Sequence, residues 1–441
     1  MPARTSIPSR RSKPFPHIVH LDALKPSRMN LSLANISALL ERMGNPEKRY
    51  PSILVAGTNG KGSVATYVSS VLRSMGFRVG TYYSPHIYRL HERIRFDGAE
   101  IPSYELNELI GEVRAFGRGI PLTYFECLTA VAARYFLEKR IDVAVFEVGL
   151  GGRLDATNLV NAVVTVITGI SRDHREHLGR TKERILTEKL GITRVGAPLV
   201  ANLGSERLLA MAKRHCEAVG AAFHPVRGEV ESALSLVTPE RMHLLIRTPR
   251  RDYGSVATRM IGIAQAGNVA TAVRVIEMLE DVGFPVRGGA GAVKRGIASA
   301  FLAGRFQVVS REPQVVLDVS HNEESLLAAL DTLGRISRPE RNVIVFGALA
   351  HKELGAFTAR ALHAARSIVV TRLRDRRSAP EERLRNIFEE ARRVQRGNCA
   401  SITAARGMAR AIREIKRRMA PSDTLLILGS HIAVEEAATF L

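Results

Sequence analysis

Short runs of consecutive apolar residues alternate with longer amphipathic stretches along this chain. Ile53–Ala56, Arg78–Tyr83, Asp142–Glu147 and Val163–Thr168 are such runs in the first half. Apolar runs without a polar residue at every second position mark strands buried on both faces, as in a parallel sheet. Thr123–Lys139 and Lys182–Leu190 carry helical spacing and are predicted to be helices. The pattern breaks at Ala303-Gly304-Arg305 and then restarts with Gln314–Asp318, Asn342–Phe346, Ser367–Thr371 and Thr424–Leu428. Strand and helix in alternation predict an α/β fold with helices on both faces of a mainly parallel sheet. The restart predicts a second, smaller, Rossmann-like α/β domain. A length of 441 residues also favours more than one core. The division expected is a basic, disordered tail at 1–20, a nucleotide-binding domain at 21–302 and a C-terminal domain at 303–441.

The run Ile53–Ala56 leads into Gly57-Thr58-Asn59-Gly60-Lys61-Gly62-Ser63, and an amphipathic segment from Val64 to Met75 follows, stopping at Gly76. Strand, glycine loop, lysine, hydroxyl and helix together form the layout of a nucleotide-phosphate cradle. Glycines let backbone N–H groups approach phosphate oxygens, Lys61 supplies a point charge, and the Ser63 hydroxyl suits Mg2+. The spacing G-x-x-G-K-G-S is shorter than the common phosphate-loop pattern. An ordinary strand-to-helix turn would also use glycine and asparagine, but would not need the lysine and serine.

Charge complicates the picture, because 64 basic against 43 acidic side chains give a net +21. Nucleic acid is one explanation and small polyanionic substrates are another. The excess concentrates between Arg360 and Arg418, where arginines fall at helical spacing with no aromatic interleaving and no Trp in the chain. That favours a solvated arginine face over a stacking platform for single strands. No apolar run is long enough to span a bilayer. Cys127, Cys216 and Cys399 are far apart and lack metal spacing, so they read as reduced thiols of a cytoplasmic protein.

Further candidate chemistry sits at predicted strand ends, where open α/β sheets place their sites. Ser84-Pro85-His86 follows the second strand, Glu147–Asn158 spells E-V-G-L-G-G-R-L-D-A-T-N after the third, and Asp173-His174 lies past the fourth. A lone glutamate at a strand end is ordinarily solvated and a lone histidine is ordinarily packed. At consecutive strand ends beside a phosphate loop, however, Ser63, Ser84, Glu147 and His174 form a plausible oxygen and imidazole set for Mg2+.

The order of Gly57–Ser63, Ser84-Pro85-His86, Glu92-Arg93, Thr123-Tyr124-Phe125-Glu126, Glu147–Asn158, Asp173-His174, Glu188–Ile192, Gly304-Arg305 and Asp318–Asn322 resembles that in folylpolyglutamate synthases. These are members of the Mur ligase superfamily, and the likeness is greatest to the bacterial bifunctional dihydrofolate synthase/folylpolyglutamate synthases. It runs from about Leu21 to the C-terminus. The resemblance implies a P-loop-containing central domain of the Mur ligase type followed by a Rossmann-like ligase domain. It implies ATP contacts at Asn59, Gly60, Lys61, Gly62, Ser63, Asn268, Arg305 and Asp318, and two magnesium ions held by Ser63, Ser84, Glu147 and His174. It implies substrate contacts at Thr123, Tyr124, Phe125, Glu126, Leu154, Asp155, Ala156 and His321. Lys61, Glu147, His174 and Lys189 would be catalytic, Lys189 as a carbamate formed with CO2.

The activity so implied is ATP-dependent ligation of L-glutamate to dihydropteroate or a folate through an acyl phosphate, by a monomer. The stretch that helps hold the pterin in the family is Asn30-Leu31-Ser32-Leu33 here, Ala303 stands where the family has proline, and Arg172 precedes Asp173. A related Mur-type ligase acting on a non-folate acid is therefore the alternative reading. A basic P-loop protein binding nucleic acid ranks below both.

Overall fold

A computed structural model describes residues 16–22, 32–173, 175–395, 397 and 399–441. Most of the tail expected at 1–20, together with Asn30, Leu31, His174 and Arg396, lies outside the described residues. The first sheet comprises β1 (Ser52–Ala56), β2 (Val79–Tyr82), β3 (Ile94–Phe96), β4 (Ala99–Glu100), β5 (Val143–Glu147), β6 (Ala162–Ile167), β7 (Leu199–Ala201) and β8 (Phe223–Pro225). Their spatial order is β4-β3-β2-β5-β1-β6-β7-β8. Pairing is parallel from β2 through β8, and only β3 and β4 run antiparallel at one edge.

The apolar runs become strands because both of their faces find a core. Along β1, Leu54 and Ala56 join Phe146 and Phe136 on one side, while Ile53 and Val55 join Val64, Val68 and Val71 on the other. The first side is covered by the helix Tyr124–Glu138 and the second by the helices Lys61–Ser74, Gln265–Asp281 and Gly289–Ser299.

Residues 231–258, to which the sequence pattern assigned no element, form an antiparallel sheet of β9 (Glu231–Val237), β10 (Met242–Arg247) and β11 (Asp252–Thr258). Its signal is a period of two: Met242, Leu244 and Ile246 are buried while His243, Leu245 and Arg247 are not. A half-buried sheet reads as alternation rather than as an apolar run.

The second domain contains β12 (Gln307–Arg311), β13 (Gln314–Leu317), β14 (Asn342–Phe346), β15 (Ser367–Thr371), β16 (Ser401–Ala405) and β17 (Thr424–Leu428), in the order β12-β13-β17-β14-β15-β16. All but the β12 edge pair in parallel, with a core on each face. The expected α/β architecture with a mainly parallel sheet and a Rossmann-like second unit is therefore what forms. Arg383, Arg385, Arg392 and Arg393 lie exposed on the helix Glu381–Arg393, opposite buried Leu384 and Phe388. Two of them pair with Glu382 and Glu389 on the same helix, as a solvated face does. Among the described residues no helix is long and apolar enough to cross a membrane.

Gly296 lets the helix Gly289–Ser299 lie directly on the phosphate-loop helix: a Cβ there would meet the backbone of Val71, with its nitrogen at 2.7 Å. Ser70 and Ser299 share a hydroxyl hydrogen bond of 3.0 Å beside that contact. Backbone cannot yield as a side chain does, so Gly296→Ala should destabilise the protein by roughly 1–3 kcal/mol. Denaturant unfolding of the two proteins checks this, and an unchanged midpoint would show that the helices separate freely.

Candidate active site

The register of β1 with its two neighbours assembles the site. Val55 is level with Glu147 on β5, and Ala56 with Ile167 on β6, so the chain leaves all three strands at one edge. The loop after β1 is closed by contacts that admit only glycine. At Gly57, φ is +152° and a Cβ would collide with the Thr168 hydroxyl; at Gly60, φ is +85° and a Cβ would collide with Asn268 Oδ1. The Thr168 hydroxyl donates to Asn59 O at 2.6 Å, and Ser171 N donates to the Thr58 hydroxyl at 3.1 Å, so the segment after β6 braces the loop. Lys61 opens the helix with Nζ 3.3 Å from Thr58 O.

Glu147 lies against the start of that helix. Its Oε2 accepts from Ser84 N at 3.1 Å and would be 3.3 Å from a Cβ on Gly62. Burial raises its pKa, and the nearby charges of Lys61, Arg305 and Arg93 together with the Ser84 N–H oppose that rise. The Ser84 hydroxyl is buried with no hydrogen-bond partner among the described residues. A buried carboxylate beside an unpartnered hydroxyl is a donor set that a hard cation completes. The third protein donor nearby is the Ser63 hydroxyl, 3.5 Å from Gln265 Nε2. The residues present therefore fit magnesium. No group of three or more His, Cys, Asp and Glu able to hold a metal exists among the described residues. The candidate set does not depend on one, because two of its members are serines and His174 is not described.

Lys189 is buried, with Nζ donating to Gly57 O at 2.8 Å. Burial, then the neighbouring charge of Lys61, lowers its pKa to about 7, against the pull of Asp155 and Asp173. The helix that carries it approaches the glycine turn closely. A Cβ on Gly152 would be 3.0 Å from Lys189 Cα, and one on Gly191 would strike Arg153.

A cavity of about 590 Å3 joins these groups. Lys61, Ser84, Thr123, Tyr124, Phe125, Glu126, Leu154, Asp155, Ala156, Lys189 and His321, all candidates from sequence, line it together. Thr123 and Glu126 also cap their helix: Thr123 N donates to Glu126 Oε2 at 2.8 Å and Glu126 N to the Thr123 hydroxyl at 3.3 Å. The other oxygen, Glu126 Oε1, is buried without a partner among the described residues. Asp155 turns both oxygens inward, to Leu150 N at 2.8 Å and to Thr157 N at 3.0 Å, and so shapes the turn that Leu154 and Ala156 present.

Eight described candidates do not line that cavity: Asn59, Gly60, Gly62, Ser63, Glu147, Asn268, Arg305 and Asp318. Asn268 donates to Gln265 Oε1 at 2.9 Å beside Gly60, and an Arg305 nitrogen would be 3.6 Å from a Cβ on Gly62. Asp318 accepts from Phe306 N and Ser320 N, both at 2.8 Å, and so steadies Phe306 at its φ of +45°. Asn59 exchanges two carboxamide hydrogen bonds with Asn322 of the second domain, at 3.2 and 2.8 Å.

Sequence reasoning missed much of the second domain's wall. Lys352, Arg377, Ser430 and His431 all line the cavity. They follow β14, β15 and β17, so the strand-end rule that found Glu147 would have found them too. Burial, then His321 and other nearby cations, pushes the His431 pKa down to about 4.

Residues 55–276 match the Mur ligase middle domain and residues 304–431 match the Mur ligase, glutamate ligase domain. A dihydrofolate synthase/folylpolyglutamate synthase of Bacillus subtilis is 33% identical over 327 residues, which are 73% of this chain and 76% of that protein. The chain belongs to the folylpolyglutamate synthase family of ATP-dependent Mur ligases. A probable bifunctional folylpolyglutamate synthase/dihydropteroate synthase of Haloferax volcanii is 31% identical over 414 residues. The match covers 92% of this chain and 48% of that relative, so this folylpolyglutamate synthase homologue spans about half of its length. E. coli FolC, solved in complex with DHPP and ADP, is similar in structure with a TM-score of 0.83 at 29% identity, over 96% of each chain.

The orphaned hydroxyl gives a discriminating variant. Ser84→Ala removes a buried polar atom that no described residue satisfies, so its melting temperature should stay the same or rise. The magnesium concentration for half-maximal activity should rise roughly tenfold, the effect of losing one ligand contact worth about 1.4 kcal/mol. A magnesium titration of turnover reads this, and an unchanged half-point would remove Ser84 from the metal set.

Proposed function

We propose that this chain uses ATP to phosphorylate a carboxylate of the pteroyl class, dihydropteroate or a folate, and couples the acyl phosphate to the α-amino group of L-glutamate. The observation that carries this is the continuity of one cavity: its aromatic wall at Tyr124 and Phe125 runs directly to Lys61 of the phosphate loop and on to His321 of the second domain. A flat aromatic acid on that wall points its carboxylate at the phosphate cradle. Glu126 lines the same wall and supplies a carboxylate, the kind of group that reads the ring N–H donors of a pterin. Of the altered stretch near the N-terminus, Ser32 reaches the cavity. A Mur-type ligase for another aromatic acid therefore remains the second reading.

The carboxylate oxygen attacks the γ-phosphorus, ADP leaves, and the amine of glutamate then attacks the acyl carbon and expels phosphate. Lys61 and the loop N–H groups hold the phosphates where negative charge builds in the transition state. Ser63, Ser84, Glu147 and His174 would hold magnesium, two ions on this reading, and the metal would supply Lewis-acid neutralisation of phosphate charge when bound. The second domain brings in the glutamate and covers the intermediate against water. All three substrates are anionic, and the chain's net charge of +21 attracts each of them.

Lys189 would serve as a carbamate. Its neutral amine adds to CO2 with loss of a proton, which replaces a cation facing Lys61 with an anion. With a pKa of about 7, the neutral fraction falls as pH drops below 7 and is nearly complete above pH 8. Activity should therefore fall on that acidic limb, and added bicarbonate should restore part of it. A pH–rate profile with and without bicarbonate tests this. A profile indifferent to both would leave Lys189 as an amine.

The functional test is phosphate release from ATP with L-glutamate plus dihydropteroate, plus tetrahydrofolate, or with no acid. Release is expected only with acid present, and Lys61→Ala should lower it by at least about a hundredfold, the scale of a lost transition-state contact. Release with neither acid from folded protein and magnesium would reject the folate reading.

A further inference from the structure

Asp173 follows β6 in the first domain, and three donors from the second domain converge on its carboxylate. Lys352 Nζ lies 2.6 Å from Oδ1, while His321 Nε2 and Asn322 Nδ2 lie 3.2 and 3.3 Å from Oδ2. The Asp173 and Lys352 side chains are each only 8% exposed. Lys352 extends from a stiff loop. Ala350 N donates to Arg377 O at 2.8 Å, Ala379 N to Ala348 O at 2.9 Å, and Lys352 N to Leu349 O at 3.1 Å. Its ammonium group is therefore delivered to one place.

That place is a boundary. On one side is the cavity of about 590 Å3 that holds the reacting groups. On the other is a more polar cleft of about 850 Å3, bordered by Arg172, Arg180, Lys182 and Glu353. Asp173, Glu176, His351 and Lys352 line both. The ion pair thus stands in the partition between the acid-binding cavity and the outer cleft. A buried pair such as this adds little net stability, because desolvation offsets most of its attraction. What it supplies is a fixed register of one domain against the other.

We propose that the Asp173–Lys352 pair is a water barrier for the acyl phosphate, with Lys352 as a positioning residue that holds it shut. This rests on the ligase reading above. Without the barrier, water from the outer cleft adds to the acyl phosphate and returns the free acid and phosphate, so that ATP is consumed with no amide formed. Acting through Asp173, Lys352 governs how many ATP molecules are spent per bond.

The quantity to measure is phosphate released per amide formed, with glutamate saturating, for the wild-type chain, Lys352→Met and Lys352→Arg. The ratio should be near one for the wild type, rise at least about threefold in Lys352→Met, and return toward one in Lys352→Arg, because only the cation re-forms the pair. Should Lys352→Met not fold, Lys352→Gln carries the same comparison. A ratio that stays near one while turnover falls overturns the proposal, as does extra phosphate release by Lys352→Met that is equally large with the acid omitted. If the wild type forms no amide with either folate-type acid, the ligase reading fails instead. The barrier is then judged by hydrogen exchange with a non-hydrolysable ATP analogue. Loss of protection at 171–173 and 348–354 in Lys352→Met supports the barrier, and retained protection overturns it.

Discussion

The site depends first on the parallel register of β1 between β5 and β6. Because Val55 pairs with Glu147 and Ala56 with Ile167, the ends of three strands are brought level. The phosphate loop, the Glu147 carboxylate and the segment leading to Asp173 must then leave the sheet side by side. A one-residue slip would turn every alternate side chain to the opposite face, exchanging Ile53 and Val55 with Leu54 and Ala56 between two cores. Both faces are packed, so the register is fixed by burial and the chemistry inherits its geometry from it. The glycine collisions at Gly57 and Gly60 show how little slack remains once the strands are set.

On that frame cations and carboxylates are packed together: Lys61, Lys189, Lys352 and Arg377 line the cavity with Glu126, Asp155, Asp173 and Glu176. Burial, and then the nearby charge of Lys61, lowers the proton affinity of Lys189. Arg93 and Arg305 lie near enough to Glu147 to oppose the rise that burial imposes on it. The ammonium form of Lys189 is unfavourable there, since burial and a like charge both oppose it. A phosphate beside Lys61, or a carbamate on Lys189, would relieve it. The exposed arginines of the helix Glu381–Arg393 belong to the surface instead.

The sequence displayed the fold well where strands are buried on both faces. Asn342–Phe346, Ser367–Thr371 and Thr424–Leu428 are read directly from apolar runs, because such strands have no polar face to disguise them. The sheet of residues 231–258 went unseen because it is half exposed, so histidine, serine and arginine interrupt its apolar positions. Site residues divide in a similar way. Those held by glycine turns, such as Lys61 and Asp155, announce themselves locally. Lys352, Arg377 and His431 also follow strands, but which strand ends of the second sheet meet the first is set by packing and not by local spacing. Likewise Thr123 and Glu126 carry a capping box that is visible in sequence, but the unpartnered oxygen of Glu126 is a property of packing.

Two domains are needed because the reaction makes conflicting demands on one space. Phosphoryl transfer needs charged groups and bound cations, which water would screen, and the acyl phosphate must not meet water at all. Yet ATP, acid and glutamate all have to enter. A cavity walled by a single domain could satisfy one demand only. Here the first domain supplies the phosphate loop and aromatic wall, and the second completes the enclosure through Asn322 on Asn59 and Lys352 on Asp173. Both contacts are made by polar side chains, which can re-form with water when the domains part, so closing over the site itself is reversible at small net energy. Apolar contacts accompany them: Ile87 packs with Val319 and Val434, and Ile261 with Leu330 and Leu333. Burying these holds the domains together, while the polar pairs set where the enclosure closes.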